Sequence, residues 1–188
     1  MGILGFIGNL LGRSRVRAPR EDRFRNVLKI TEISEIVTCD KAGVLFNPEE
    51  GASMASLTME LQDLMMVNES TVGTEVDLVT DEFETGWIVL ENRKLDCLVA
   101  SLQILIQTLF ERGNGDRLLA AVLRVNFEGE PAYCLYNYKR GYFHPLVLGN
   151  SERRDNDSEL RLGQLMERTG IAVENSLEHW YGLSGIPF

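Results

Sequence analysis

Apolar residues recur along this chain at two spacings, one belonging to helices and one to strands. Over Ala52–Val67, Met54, Leu57, Leu61, Leu64 and Met65 fall on one helical face. The methionines on that face read as core filler. Over Lys94–Arg112, Leu95, Leu98, Val99, Leu102, Leu105, Ile106 and Leu109 make a helix that is apolar on most sides, which predicts the central buried helix. Gly113 stands where a left-handed cap would end it. Ser158–Arg168 adds a last helix carrying Leu160, Leu162 and Leu165. Phe24–Val37 starts with helical spacing, although its β-branched residues weaken it as a helix.

Alternation marks the strands. Thr74–Thr80 and Thr85–Glu91 read as a hairpin turning at Asp81–Glu84. Gly43–Asn47 is a short apolar strand ended by Pro48. Arg117–Phe127 and Ala132–Tyr138 pair across Glu128–Glu130, where Gly129 supplies the flexible backbone, and Tyr142–Leu148 adds a further strand. Near the C-terminus, Trp180 and Tyr181 are expected to pack on the body. The sum is an α+β domain, a single antiparallel sheet packed against helices in two layers. Regular strand–helix–strand alternation is missing, which argues against a Rossmann sheet. Residues 23–188 form that domain, and residues 1–22 form a separate N-terminal arm.

Charge sharpens the division. Residues 1–29 carry seven basic side chains against two acidic ones, a net of +5, and the remaining residues carry twelve against twenty-six, a net of −14. On a helix, Ile3, Leu4, Phe6, Ile7, Leu10 and Leu11 share an arc of roughly 160°. Arg13, Arg15 and Arg17 follow at once. That layout is an amphipathic basic arm, suited to an anionic membrane surface or to a partner helix. Docking on the protein's own body, or on a second copy, is the alternative. A single copy would bind a membrane weakly, so a homo-oligomer or a membrane-bound partner would be needed to hold it. The charges follow the apolar run instead of preceding it, unlike a signal peptide. Phe6 breaks the myristoylation pattern.

Composition narrows the function classes. The chain of 188 residues is 44% hydrophobic and 25% charged, globular proportions that exclude wholesale disorder. A net charge of −9 argues against nucleic acid as the partner of the body. Cys39, Cys97 and Cys134 are few and scattered, so reduced thiols are expected. His144 and His179 have no neighbouring histidine or cysteine in sequence, which predicts no metal and no cofactor. A Cys134–His144 pair is conceivable only on paper, because Cys134 lies within a strand. No G-x-S-x-G or P-loop is present, and Gly113-Asn114-Gly115 reads as a cap and turn. The chain is therefore expected not to be an enzyme.

Two polar stretches stand out. Tyr136–Gly141 (YNYKRG) mixes aromatics with cations, and Glu152–Asn156 (ERRDN) follows soon after. Tyr136, Tyr138, Lys139, Arg140, Arg153 and Arg154 could form a recognition surface for a protein or an anion. They could instead be a hairpin with aromatics in the core, flanked by a self-contained Arg–Asp/Glu network.

The same stretches carry a family resemblance. Met1–Leu4 with Leu10–Arg13, Gly43–Gly51 (GVLFNPEEG), YNYKRG with Phe143 and Pro145, and ERRDN with Glu159–Leu162 run in the order of the PspA-associated PspAB family, which this chain resembles over most of its length. The resemblance implies an intracellular protein linked to a PspA-type membrane-stress protein, of the kind that coats stressed inner membranes. It carries over no catalytic residue. The expected function is a non-enzymatic adaptor or regulatory protein. It would be cytoplasmic, with peripheral contact at the inner face of the membrane, acting through its arm and its tyrosine–arginine surface. Two alternatives stand beside it. One is an anion- or small-ligand-binding protein or enzyme using Lys139, Arg140, Arg153 and Arg154. The other is a peptide-binding module, since the order of elements is similar to that of secretion chaperones.

Overall fold

The computed structural model of the chain describes residues 21–47, 59, 61–63, 65–66, 68–80, 85–149 and 153–188. Helix α1 (Glu21–Arg25) runs into a 3-10 turn (Asn26–Glu32). Strand β1 (Ile36–Phe46) follows, then β2 (Glu75–Thr80), β3 (Gly86–Glu91), helix α2 (Leu95–Glu111) and β4 (Leu118–Phe127). The order continues with β5 (Glu130–Asn137), β6 (Tyr142–Val147) and α3 (Asn156–Arg168), and the chain closes through a 3-10 turn (Leu177–His179) into an extended segment. The six strands form one antiparallel sheet in the order β2-β3-β1-β4-β5-β6. The expected α+β class is the observed one.

Local chemistry accounts for the turns. Helix α2 ends in a Schellman arrangement. Gly113 sits at φ +77°, its N–H donates to the Phe110 carbonyl, and the Asn114 N–H donates to that of Leu109. Between β4 and β5, Glu128 and Gly129 both have positive φ, 53° and 91°, the left-handed pair that a two-residue hairpin turn demands. Phe24–Val37 departs from the helical expectation. Regular helix stops at Arg25, the 3-10 turn lasts to Glu32, Ile33 is extended, and β1 begins at Ile36. The β-branched run Ile33–Thr38 prefers the pleated sheet, where its side chains pack across neighbours. Strand β1 is accordingly eleven residues long, against the five expected, with a bulge opposite β4 between Thr38 and Ala42.

The sheet is apolar on both faces. On the inner face, Val44, Ile88, Leu90, Leu123, Val125 and Cys134 pack under α2, the 3-10 turn and α3, which contribute Leu98, Leu102, Leu105, Val27, Ile30, Leu162 and Met166. Of the helix expected over Ala52–Val67, Leu61 and Met65 are helical and buried as predicted, whereas Met59 and Met66 are exposed. On the outer face, Leu45, Trp87, Val89, Val122, Leu135 and Leu146 form a second cluster with Leu183, against which Tyr181, Ile186 and Phe188 pack. No helix expected from the sequence accounts for this second cover. It is an extended segment of the chain's own C-terminal residues.

Leu105 is fully buried on α2, at the centre of the inner core. Leu105→Ala should lower stability by about 2–5 kcal/mol, read as an earlier urea midpoint with an unchanged slope.

Candidate functional site

The two polar motifs are the natural place to build a site. In the β5–β6 turn, Asn137 Oδ1 accepts the N–H groups of Lys139 (3.0 Å) and Arg140 (3.3 Å), and the Gly141 N–H returns to the Asn137 carbonyl (2.8 Å). Gly141 lies at φ +74°. An asparagine followed four residues later by glycine is thus the chemistry of the turn itself. Tyr136 and Tyr138 flank it. Tyr136 stands edge-on to Phe24 (5.2 Å), Tyr138 (5.4 Å) and Phe143 (4.8 Å), and both tyrosines are buried. Burial pushes the Tyr136 hydroxyl up to about 12, against an opposing pull from Arg23. Arg23 also lies 4.9 Å above the Tyr142 ring, a cation–π contact that fastens α1 to β6.

The second motif opens α3. Asp155 is the N-cap: its carboxylate accepts from the Ser158 N–H (3.1 Å) and from the Ser158 hydroxyl (2.6 Å). These bonds hold the Asp155 carboxyl below its usual range. Beside it, Arg154 grips Glu159 with two donors, Nε at 3.0 Å and Nη2 at 2.6 Å. Glu159 is buried and also accepts from the Val147 N–H (3.2 Å). The third arm of Arg154 donates to the Trp180 carbonyl (3.0 Å).

Both motifs therefore converge on the C-terminal segment. Arg140 Nε is hydrogen-bonded to Glu174, whose N–H donates to the Phe143 carbonyl at the β6 edge (2.8 Å). Burial alone would raise the Glu174 carboxyl, but hydrogen bonds from Arg140 and from the Ser176 N–H outweigh it and hold it low. His144 lies on the outer face of β6, 1% exposed, and its Nε2–H donates to the Tyr181 carbonyl (3.2 Å). A carbonyl only accepts, so the neutral ring carries its proton on Nε2. Burial drives His144 down to about 4, aided by Arg154 and opposed by the Tyr181 bond and by Glu174. Trp180 packs its ring on Gly163 of α3, where a Cβ would collide with it, and donates Nε1–H to the Glu174 carbonyl (2.8 Å).

The residues expected to form a recognition surface are thus differently placed. Tyr136 and Tyr138 are corrected from surface anchors to core residues, because alternation along β5 turns them onto the inner face with Phe24 and Phe143. Arg140 and Arg154 are each claimed by a carboxylate, which leaves the anion-holding reading without two of its four cations. Lys139 is part-buried in the turn, and Arg153 is exposed. The contact residues Ile3, Leu4, Phe6, Ile7, Leu10, Leu11, Arg13, Arg15 and Arg17 lie outside the described residues. Cys134 and His144 do not meet, since Cys134 points into the inner core and His144 to the outer face. Burial raises the Cys134 thiol to about 12, which makes it inert as a nucleophile at neutral pH. Among the described residues there is no cluster of three metal-ligating side chains, and no helix is long and apolar enough to cross a membrane.

Sequence reasoning missed Glu174, the roles of Glu159 and Asn137, and two of the glycines that lie against rings, Gly163 under Trp180 and Gly43 under Phe188. A signal existed for the glycines: Gly163 interrupts a helix and Gly43 a strand, positions where glycine weakens the element unless something approaches closely.

Two outcomes follow for stability. Unfolded, His144 regains an ordinary value near 6.5, while in the fold it stays neutral down to about 4. Between those values the unfolded chain binds a proton that the folded chain refuses, so stability falls as pH drops through that window. Urea unfolding at pH 7 and pH 5 should differ by about 2 kcal/mol, and His144→Gln should remove most of the difference. Glu174 is held low, so its own contribution persists until the pH falls below its ordinary 4.5. Arg154→Ala strands the buried Glu159 carboxylate and should cost about 2–4 kcal/mol, partly recovered by adding Glu159→Gln.

No curated protein and no solved structure matches the chain. A family model described as PspA associated protein B matches residues 1–188. That span includes the turn motif, the α3 cap and the C-terminal segment just described. The chain belongs to the PspA associated protein B family.

Proposed function

We propose that this chain is a non-enzymatic adaptor in a PspA-type membrane-stress response. It works in the cytoplasm, with peripheral contact at the inner face of the membrane. The N-terminal arm makes that contact, or grips a PspA-type helix: Ile3, Leu4, Phe6, Ile7, Leu10 and Leu11 enter the apolar surface while Arg13, Arg15 and Arg17 meet negative charge. The observation that carries the reading is the division of the chain into an apolar, basic start (+5 over residues 1–29) and an acidic remainder (−14), in a family described by association with PspA. The acidic body would be repelled by an anionic surface, so the arm alone can approach it and the body is held outward. The placement of Arg140 and Arg154 in ion pairs favours protein contact over anion chemistry as the work of the body.

Flotation on anionic vesicles and capture of the PspA-type partner test this directly. The full chain should float and capture the partner, and a chain lacking residues 1–17 should lose at least tenfold of the vesicle-bound fraction. Equal flotation of both removes the membrane contact. Equal capture of the partner by both moves that contact from the arm to the body.

A further inference from the structure

The C-terminal residues 181–188 cover the outer face of the sheet without joining it, and Trp180 just before them packs its ring into the inner cluster. They carry neither strand nor helix. Side chains hold them instead, and three of the bonds fall on main-chain oxygens from Trp180 to Phe188. Arg154 donates to Trp180 (3.0 Å), His144 to Tyr181 (3.2 Å), and the Tyr133 hydroxyl to Phe188 (3.0 Å). Main-chain oxygens are common to every peptide, so these donors read backbone and not particular side chains.

Two ring seats bracket the segment. Trp180 lies on Gly163 at the inner cluster, where the segment is anchored, and Phe188 lies on Gly43 at the outer face, where a Cβ would come within 2.8 Å of its ring. Phe188 also stands edge-on to Trp87 (5.9 Å) and Tyr133 (6.4 Å). Between the seats Leu183 is buried, while Ser184, Gly185 and Pro187 face solvent. The floor includes an unmet donor. Trp87 is fully buried, yet its Nε1–H has no acceptor, an expense that a fold usually avoids.

We propose that the outer sheet face is a peptide-binding groove, that residues 181–188 are its internal ligand, and that it accepts an apolar segment of a partner protein whose aromatic side chain replaces Phe188 over Gly43. The argument for that occupant is the segment already seated there, which shows what the groove holds: carbonyls met by Arg154, His144 and Tyr133, apolar side chains facing inward, and an aromatic ring at the glycine seat. A segment held by side chains and burial, with no ladder, can leave without breaking the sheet. A partner segment that also offers an acceptor to Trp87 Nε1–H would bind better than the chain's own. This inference goes beyond the adaptor reading and does not depend on the N-terminal arm.

The test uses the full chain with a protease site placed at the exposed Leu177, cut after folding. The probe is a labelled synthetic peptide, WYGLSGIPF, followed by anisotropy. The cut chain should bind the peptide at least tenfold more tightly than the uncut chain. A peptide with alanine in place of its last phenylalanine should bind at least tenfold less tightly. Gly43→Leu in the cut chain should abolish binding. A second arm needs no cut: Phe188→Ala in the intact chain empties the ring seat and should admit the peptide where the unaltered chain does not. Unfolding on cleavage together with no peptide uptake by the Phe188→Ala chain would overturn the proposal, because the segment would then be ordinary core. Equal binding by cut and uncut chains would also overturn it. So would a dimer whose labelled C-terminal segments have crossed over, which would make a second copy the occupant.

Discussion

A sheet with apolar side chains on both faces must be covered twice, and the structure follows from how differently the two covers are made. The inner cover is conventional. Helices α2 and α3 and the 3-10 turn lay apolar stripes on Val44, Leu90, Leu123 and Val125, and burial of that size dominates the stability of a domain. Among the described residues, the outer cover is one segment with neither strand nor helix. It has no backbone ladder of its own and depends on Leu183, Ile186, Phe188 and a few side-chain donors. Among the described residues, it is this segment that covers Trp87, Leu135 and Leu146 as an apolar patch. A patch of that kind on a monomer marks a contact site.

The polar motifs serve the second cover. Read along the sequence, YNYKRG and ERRDN suit either a recognition surface or a hairpin with its aromatics in the core and a self-contained Arg–Asp/Glu network. Folded, Asn137 and Gly141 build a turn, Asp155 caps α3, and Arg140 and Arg154 reach Glu174, Glu159 and the Trp180 carbonyl. Their charges are used within the molecule. The buried carboxylate of Glu159 is tolerated because Arg154 and the Val147 N–H satisfy it. His144 is kept neutral by the same enclosure, so the seam between β6 and the C-terminal segment sheds stability in mild acid.

Much of the fold was legible because periodicity is a local property. Leu95–Leu109 spells a buried helix, Gly113 and Gly129 mark its cap and the next hairpin, and the alternation in Thr74–Glu91 gives β2 and β3. The failures were non-local. Ile33–Thr38 could be helix or strand by spacing, and only pairing with β4 decides it. Tyr136 and Tyr138 could face either way, and the position of Phe24, over a hundred residues earlier, settles which. Arg154 finds Glu159 five residues on, but Arg140 meets Glu174 and Arg154 meets the Trp180 carbonyl 34 and 26 residues away, beyond the reach of any spacing rule. Phe188 over Gly43 joins the C-terminal segment to strand β1, and neither residue announces the other.

The claim on which this account turns is that the outer cover opens separately from the rest of the molecule. Solvent exchange of the Trp87 indole N–H, followed by NMR in the intact chain, measures that opening, because this proton lies under the outer cover and has no acceptor of its own. The backbone amides of α2 report opening of the whole fold in the same sample. The Trp87 proton should exchange at least a hundredfold faster than the slowest α2 amides, and faster still in a Phe188→Ala chain. Exchange of both at one common rate would mean that the sheet loses both covers together, and would contradict that claim.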